Sequence, residues 1–330
     1  MAIKKILFLL LFFPLLFSTC KKEGDTNNTN SSVGDNNASS LLTYVPDDNF
    51  ENYLEANGLG NGITGDDSVL THNIDTLSYL YINSQNISDL TGIEGFTALT
   101  FLSCGSNQLD SLDVSQNTAL ESLYCYKNQL TSLDLSANTV LTNLYCYLNQ
   151  LNSLDVSANT ELNVLECWYN QLTGLDVSTN TALTILMCGG NQLASLVVSN
   201  NTSIINLHCS TNQLTTLDVS NNTALDALNC YNNQITSLDL NANTALVTLN
   251  CWGNQITSLD VSQNTILTSL YCYNNPLTSL DVRNGNNTNF TVFYPYDNSH
   301  LSCINVDAAD WSTDNWTNID QNHYFSEDCP

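Results

Sequence analysis

Positive charge is what this chain has least of. Its 330 residues hold six Lys and Arg against 32 Asp and Glu, a formal net charge of −26. Beyond Lys4 and Lys5, the basic residues are Lys21, Lys22, Lys127 and Arg283. No basic face exists to neutralise phosphate, which excludes nucleic acid as a partner. Histidine is scarce too: His72, His208, His300 and His323 are scattered, and no serine or cysteine motif stands at a turn beside a usable base. No catalytic residue is legible, and no enzyme is expected. Nor does the apolar run Ile6 to Phe17, interrupted by Pro14, reach the ~20 residues that a membrane-spanning helix needs.

That run follows Lys4 and Lys5, the pattern of a secretory signal, assigned here to residues 1–19. It ends in Leu16-Phe17-Ser18-Thr19-Cys20, which resembles a bacterial lipobox and implies acylation of Cys20; Phe17 and Thr19 depart from the usual residues, so plain secretion is the alternative. Lys21-Lys22-Glu23-Gly24-Asp25 resembles the charged tag of Gram-negative lipoproteins exported to the outer face. The resemblance implies an outer-membrane lipoprotein exposed at the cell surface, with a secreted or periplasmic protein as the alternative; the membrane is met through the lipid only. Thr26 to Ser40 is almost wholly Asn, Ser and Thr, with little to bury, so residues 20–43 are expected to form a flexible tether.

What the chain has in abundance is repetition. Cysteine falls every 21 residues at Cys104, Cys125, Cys146, Cys167, Cys188, Cys209, Cys230, Cys251 and Cys272. Around it recurs Leu120-x-x-Leu123-x-Cys125-x-x-Asn128-x-Leu130-x-x-Leu133-Asp134-Leu135-Ser136-x-Asn138-Thr139-x-Leu141. A fixed period of this length is the mark of a solenoid. The segment from Leu120 to Cys125 alternates as a half-buried strand does, with Leu123 and Cys125 inward and Tyr124 and Tyr126 outward. One coil cannot bury its leucines; stacking the next at about 4.8 Å creates the core. Asn107, Asn128, Asn149, Asn170, Asn191, Asn212, Asn233, Asn254 and Asn275 stand at the turn after each strand. An amide donates and accepts, so a buried column of them can satisfy the turns coil by coil.

These residues resemble the leucine-rich repeat signature Leu-x-x-Leu-x-Leu-x-x-Asn-x-Leu, with cysteine in the third apolar slot, over roughly residues 77–306. The unit ending in Leu-Asp-Val-Ser-x-Asn-Thr looks most like repeats of bacterial surface proteins, internalins among their relatives. The resemblance implies a β-rich right-handed solenoid with a parallel sheet on the concave face and turns or short 3₁₀ pieces on the convex side.

Zinc needs close ligand pairs converging from different directions, whereas these nine cysteines form one inward column. Side chains parallel on adjacent strands rarely reach the disulfide torsion, so the column is read as small buried hydrophobes. Cys303 and Cys329 break the period and bracket Trp311 and Trp316; they are read as a disulfide closing the C-terminal cap. Asp113, Asp134, Asp155, Asp176, Asp218, Asp239, Asp260 and Asp281 form a second column, broken by Val197. Each is expected to cap the turn that follows, with calcium as the alternative; no resident metal or cofactor is assigned.

Residues 44–76 are expected to be an N-terminal cap, where Asp47 starts one helix with a Phe50/Tyr53/Leu54 apolar face. Residues 77–306 then hold about eleven coils, the first marked by Leu80-Tyr81-Ile82 and the last by Phe293. Residues 307–330 are the C-terminal cap.

Function is expected where the repeats stop agreeing. One concave flank reads Ser103, Tyr124, Tyr145, Glu166, Met187, His208, Asn229, Asn250, Tyr271; its neighbour reads Gly105, Tyr126, Tyr147, Trp168, Gly189, Ser210, Tyr231, Trp252, Tyr273. Gly189, Gly190, Ser210 and Thr211 make a low saddle between two aromatic groups. Glu166 and His208 share a column two coils apart, near 10 Å at strand spacing, too far for a direct pair. The candidate ligand-binding residues are Tyr124, Tyr126, Tyr145, Tyr147, Trp168, Tyr169, Tyr231, Trp252, Tyr271 and Tyr273, since exposed aromatics are enriched at interface hot spots. Strand propensity and mere stacking would explain the same rings. The expectation is a monomeric, non-enzymatic surface binding or adhesion protein with a protein partner, favoured by the family resemblance alone. A spacer without a ligand and a glycan-binding surface protein remain the alternatives.

Overall fold

The computed structural model describes residues 41–330. The segment assigned to a signal, Cys20 and the part of the assigned tether up to residue 40 lie outside the described residues.

Each coil contributes three residues to a parallel sheet of eleven strands in chain order, running from Tyr79–Tyr81 through Phe101–Ser103, Ser122–Tyr124 and Val164–Glu166 to Val292–Tyr294. Register follows the period, so Leu123 lies beside Leu144 and Tyr124 beside Tyr145. The outward columns are therefore continuous from coil to coil. Beneath them Leu120, Leu123, Cys125, Leu130 and Leu135 are buried together with their counterparts in each of the nine cysteine-bearing coils. All nine laddered thiols are unpaired and buried, and desolvation pushes Cys125 and Cys188 up to about 12. They pack as small apolar groups rather than as nucleophiles.

The strands stop after three residues because the chain turns through a left-handed residue just before each ladder asparagine: Lys127 at φ 53°, Leu148 at 55°, Tyr169 at 50°, Thr211 at 53°, Asn232 at 52°. The asparagine ties that turn to its neighbours. Asn128 Nδ2 donates to the carbonyls of Cys104 and Cys125, both at 3.1 Å, and its Oδ1 accepts from Leu109 N at 3.1 Å. One side chain thus satisfies backbone groups of two coils.

A second asparagine column closes the opposite side. Asn117, Asn138, Asn159, Asn180, Asn201, Asn222, Asn243 and Asn264 are fully buried. Asn180 Nδ2 donates to Val156 O at 2.9 Å and Asn159 O at 2.8 Å, and the pattern repeats along the column.

The convex side is built mainly of turns, as the resemblance implied, with one addition towards the C-terminus. Among the described residues 3₁₀ turns occur only at Ile93–Gly95 and Asn287–Asn289. Towards the C-terminus a second parallel sheet forms instead from Ser258–Asp260, Ser279–Asp281, Cys303–Asn305 and Tyr324–Ser326. There the return paths lie close enough to pair backbones directly, Ser258–Asp260 in register with Ser279–Asp281, and the C-terminal cap supplies the fourth strand.

Both caps are more elaborate than expected. The helix Asp48–Ala56 is present, with Asp47 Oδ1 accepting from Asn49 N and Phe50 N at its start. It is joined by an antiparallel pair, Leu42–Tyr44 with Ser68–Leu70, so ordered structure begins inside the segment assigned to the tether. Asp47 Oδ2 also receives Ser88 N and Asp89 N, fastening the cap to the first coil. At the other end Cys303 and Cys329 form the expected disulfide, Cα atoms 5.8 Å apart. Trp316 packs on Phe293 behind it.

Candidate functional site

The outward face of the eleven-stranded sheet gathers the candidate residues in two rows. Every second residue of a strand projects from this face, and in-register pairing sets those residues one coil apart. In the second row Tyr126 lies flat on Tyr147 (4.9 Å, 6°) and Tyr147 on Trp168 (4.2 Å, 10°). Further along, Tyr231, Trp252, Tyr273 and Tyr296 stack at 4.9, 5.0 and 4.8 Å with planes within 15°. The first row is less regular: Tyr124 and Tyr145 are tilted by 50° at 4.2 Å, and Tyr271 meets Tyr294 edge-on. All these rings are half-exposed, each with its rim open to a partner.

Tyr169 differs from the others. It occupies the left-handed turn position and not a strand flank. From there it stands edge-on to Trp168 at 5.3 Å and lies over Gly190, where any added Cβ would strike its ring. Gly105 is constrained in the same way, since a Cβ there would come within 2.6 Å of the Tyr126 ring.

Several contributors to the aromatic face, all but Phe101 outside the nine regular coils, are not among the candidates read from the sequence. Tyr79, Tyr81 and Phe101 extend the first aromatic cluster, with Tyr81 and Phe101 at 4.7 Å; Tyr294 and Tyr296 extend the second. The signal was available. Placing Phe293 in a leucine slot puts Tyr294 and Tyr296 on the two outward flanks.

Between the aromatic groups the face is polar. Trp168 Nε1 donates to Glu166 Oε2 at 3.2 Å, and burial raises the Glu166 carboxyl above the ordinary range. His208 Nε2 bonds Ser210 Oγ at 2.5 Å, and burial lowers the His208 pKa, favouring the neutral ring. Glu166 and His208 bond different partners, as their separation requires. Burial, with Tyr126 and Glu166 nearby, pushes the Tyr147 hydroxyl up to about 12, so it stays a neutral donor.

The Asp column takes the capping role. Ser115, Ser136, Ser157, Ser178 and Ser220 each donate their backbone N–H to the aspartate two residues earlier at 2.9 Å. In the N-terminal cap the carboxylates of Asp48, Glu51 and Asp67 converge within 4.8 Å. Glu51 already accepts from Gly65 N and Asp66 N there, so the cluster is held by the loop's own donors.

Comparison with known proteins agrees with this architecture. No protein-family model matches the chain. Internalin J of Listeria monocytogenes is 42% identical over 78 residues, 24% of this chain and 8% of that protein. The solved functional domain of InlJ from Listeria monocytogenes, which includes a cysteine ladder, superposes with a TM-score of 0.66 at 34% identity, over 81% of this chain and 66% of that one. The internalin InlF structure from the same species matches at a TM-score of 0.52 and 22% identity, over 82% of this chain and 99% of that one, a likeness of fold alone. The chain thus spans about two thirds of the InlJ domain and a small part of the whole internalin J. With its 21-residue coils, asparagine turns and inward cysteine ladder, the chain is a leucine-rich repeat protein with internalins among its relatives.

Proposed function

We propose that this is a non-enzymatic surface binding or adhesion protein that takes a protein partner on the aromatic face of its long sheet, and that a lipid on Cys20 anchors it to the outer membrane of a Gram-negative bacterium. The observation that carries the binding reading is the pair of half-exposed aromatic stacks on one continuous face. Such rings offer large, rigid, amphipathic contact area that costs little entropy to order. The likeness to internalins favours a protein over a polysaccharide. The excess of acid directs the expectation towards a basic partner surface.

A second reading has its own observation. Near-parallel rings one coil apart also stabilise the sheet itself, which suits a spacer with no ligand. A screen of the protein against extracellular proteins and polysaccharides separates the readings. Saturable binding to a protein supports the first; binding to polysaccharide alone, or to nothing, counts against it. For the anchor, Cys20→Ala should move the protein from the membrane to the soluble fraction, and unchanged partitioning would reject it.

A further inference from the structure

Tyr124 and Tyr145 are the closest pair of tyrosine rings among the described residues, with centroids 4.2 Å apart and planes tilted by 50°. In-register pairing of their strands puts them there, one coil apart. At that distance the edge carbons of the two rings are in van der Waals contact. Once a phenol has lost an electron and a proton, its ortho carbons carry spin, so two rings held close and tilted are placed for carbon–carbon coupling. The other tyrosine pairs are placed less well. Tyr126 on Tyr147 and Tyr273 on Tyr296 are flat stacks at 4.9 and 4.8 Å, in which ring faces meet rather than ortho edges, and Tyr271 stands 5.4 Å from Tyr294.

The surroundings favour the same pair. Both rings are half-exposed, open to an oxidant in solution. Phe101 lies against Tyr124 at 5.0 Å, and Glu166 follows Tyr145 in its column; neither a phenyl ring nor a carboxylate gives up an electron to a phenoxyl radical. Tyr147 and Tyr273, by contrast, lie against Trp168 and Trp252, whose indoles share the oxidising equivalent. The thiols behind the strands do not compete. Cys125 and Cys146 are buried, and burial pushes the Cys125 thiol up to about 12, whereas the thiolate is the reactive form.

We propose that Tyr124 and Tyr145 are a modification site, joined under one-electron oxidation by a dityrosine bond that staples two neighbouring coils on the exposed sheet face. The oxidant is a peroxide acting through a haem peroxidase. Each phenol gives up one electron and its hydroxyl proton, the two radicals couple through their ortho carbons, and the hydrogen on each of those carbons moves to the oxygen and restores the phenol. The two electrons and two protons reduce hydrogen peroxide to two waters. The staple closes a loop of one 21-residue period and restrains the unfolded chain as a disulfide of that span does. The inference does not depend on what the sheet face binds.

The test treats the dilute full chain with a haem peroxidase and hydrogen peroxide, then reads intact mass, dityrosine fluorescence and cross-linked peptides. The expected product is a monomer that has lost two hydrogen atoms, with residue 124 joined to residue 145 as its main cross-link and a raised melting temperature. Tyr145→Phe, which keeps the ring, should abolish that cross-link, and Tyr126→Phe should leave it. Unfolding in urea before oxidation should abolish it too. A cross-link mapped chiefly to other tyrosines or between molecules, no dityrosine at all, or an unchanged yield from urea-unfolded protein would overturn the proposal. So would a linked monomer that melts below the untreated protein.

Discussion

Tyr147 lies flat against Trp168, ring centroids 4.2 Å apart and planes 10° from parallel. Trp168 ends its stack, whereas Trp252 is enclosed by Tyr231 at 4.9 Å and Tyr273 at 5.0 Å. Trp168 adds an edge-on contact with Tyr169 at 5.3 Å and a hydrogen bond to Glu166 at 3.2 Å, so each tryptophan has two ring neighbours. An aromatic pair contributes roughly 0.5–1.5 kcal/mol beyond burial, so Trp168→Ala and Trp252→Ala are each expected to lower unfolding free energy by about 1–3 kcal/mol, measured by urea denaturation. Losses near zero would mean that the ring contacts contribute nothing to the fold.

Asn191 tests the turn ladder. Its Nδ2 donates to Cys167 O at 3.1 Å and Cys188 O at 3.0 Å, and its Oδ1 accepts from Leu172 N at 3.0 Å. Asn191→Leu orphans three buried backbone groups at 1–3 kcal/mol each before relaxation, so a loss of about 3 kcal/mol or more is expected. Hydrogen exchange should quicken first in the adjoining coils, because coupling runs between neighbours. A melting temperature within about a degree of wild type would contradict the ladder's role.

Lys127 holds a left-handed turn at φ 53° with its side chain exposed. Glycine adopts that conformation without the Cβ penalty. Lys127→Gly should therefore stabilise the fold by about 0.5–1 kcal/mol, visible as a raised melting temperature. A lowered one would show that the lysine makes a compensating contact.

Hydrogen bonds from the following serines hold Asp134, Asp155 and Asp176 below the ordinary aspartate range. Because the folded pKa is depressed, their contribution is present in full above the unfolded value of about 3.9 and is lost as pH falls through the folded one. Acid also relieves repulsion within the column, so the informative quantity is a difference. The gap in melting temperature between wild type and Asp155→Ala should narrow between about pH 5 and pH 2. A constant gap would reject the capping account.

Much of this was legible in the sequence because stacking makes every coil repeat the same physics. The period alone placed Leu123 and Cys125 inward and Tyr124 and Tyr126 outward, and the disulfide of Cys303 with Cys329 stood out by breaking it. Asn138 appeared in the repeat as plainly as Asn128, yet its function as a buried donor column needs the neighbouring coil's carbonyls in place. The second sheet was hidden for a similar reason: Ser258–Asp260 carries the same residue pattern as earlier coils that do not pair, and only the approach of the return paths decides. Trp168 and Tyr169 were chosen together, but a strand flank and a left-handed turn aim their rings differently, which composition does not reveal.

The central claim is that the aromatic sheet face binds a protein. The most direct measurement takes a protein found by the screen and compares its affinity for wild type and for the Trp168→Ala/Trp252→Ala double variant, with folding verified by far-UV circular dichroism. The account predicts that each single variant loses about 2 kcal/mol or more of affinity and the double variant loses binding, while Thr139→Ala, outside the sheet, loses almost none. Undiminished affinity in a folded double variant would contradict it.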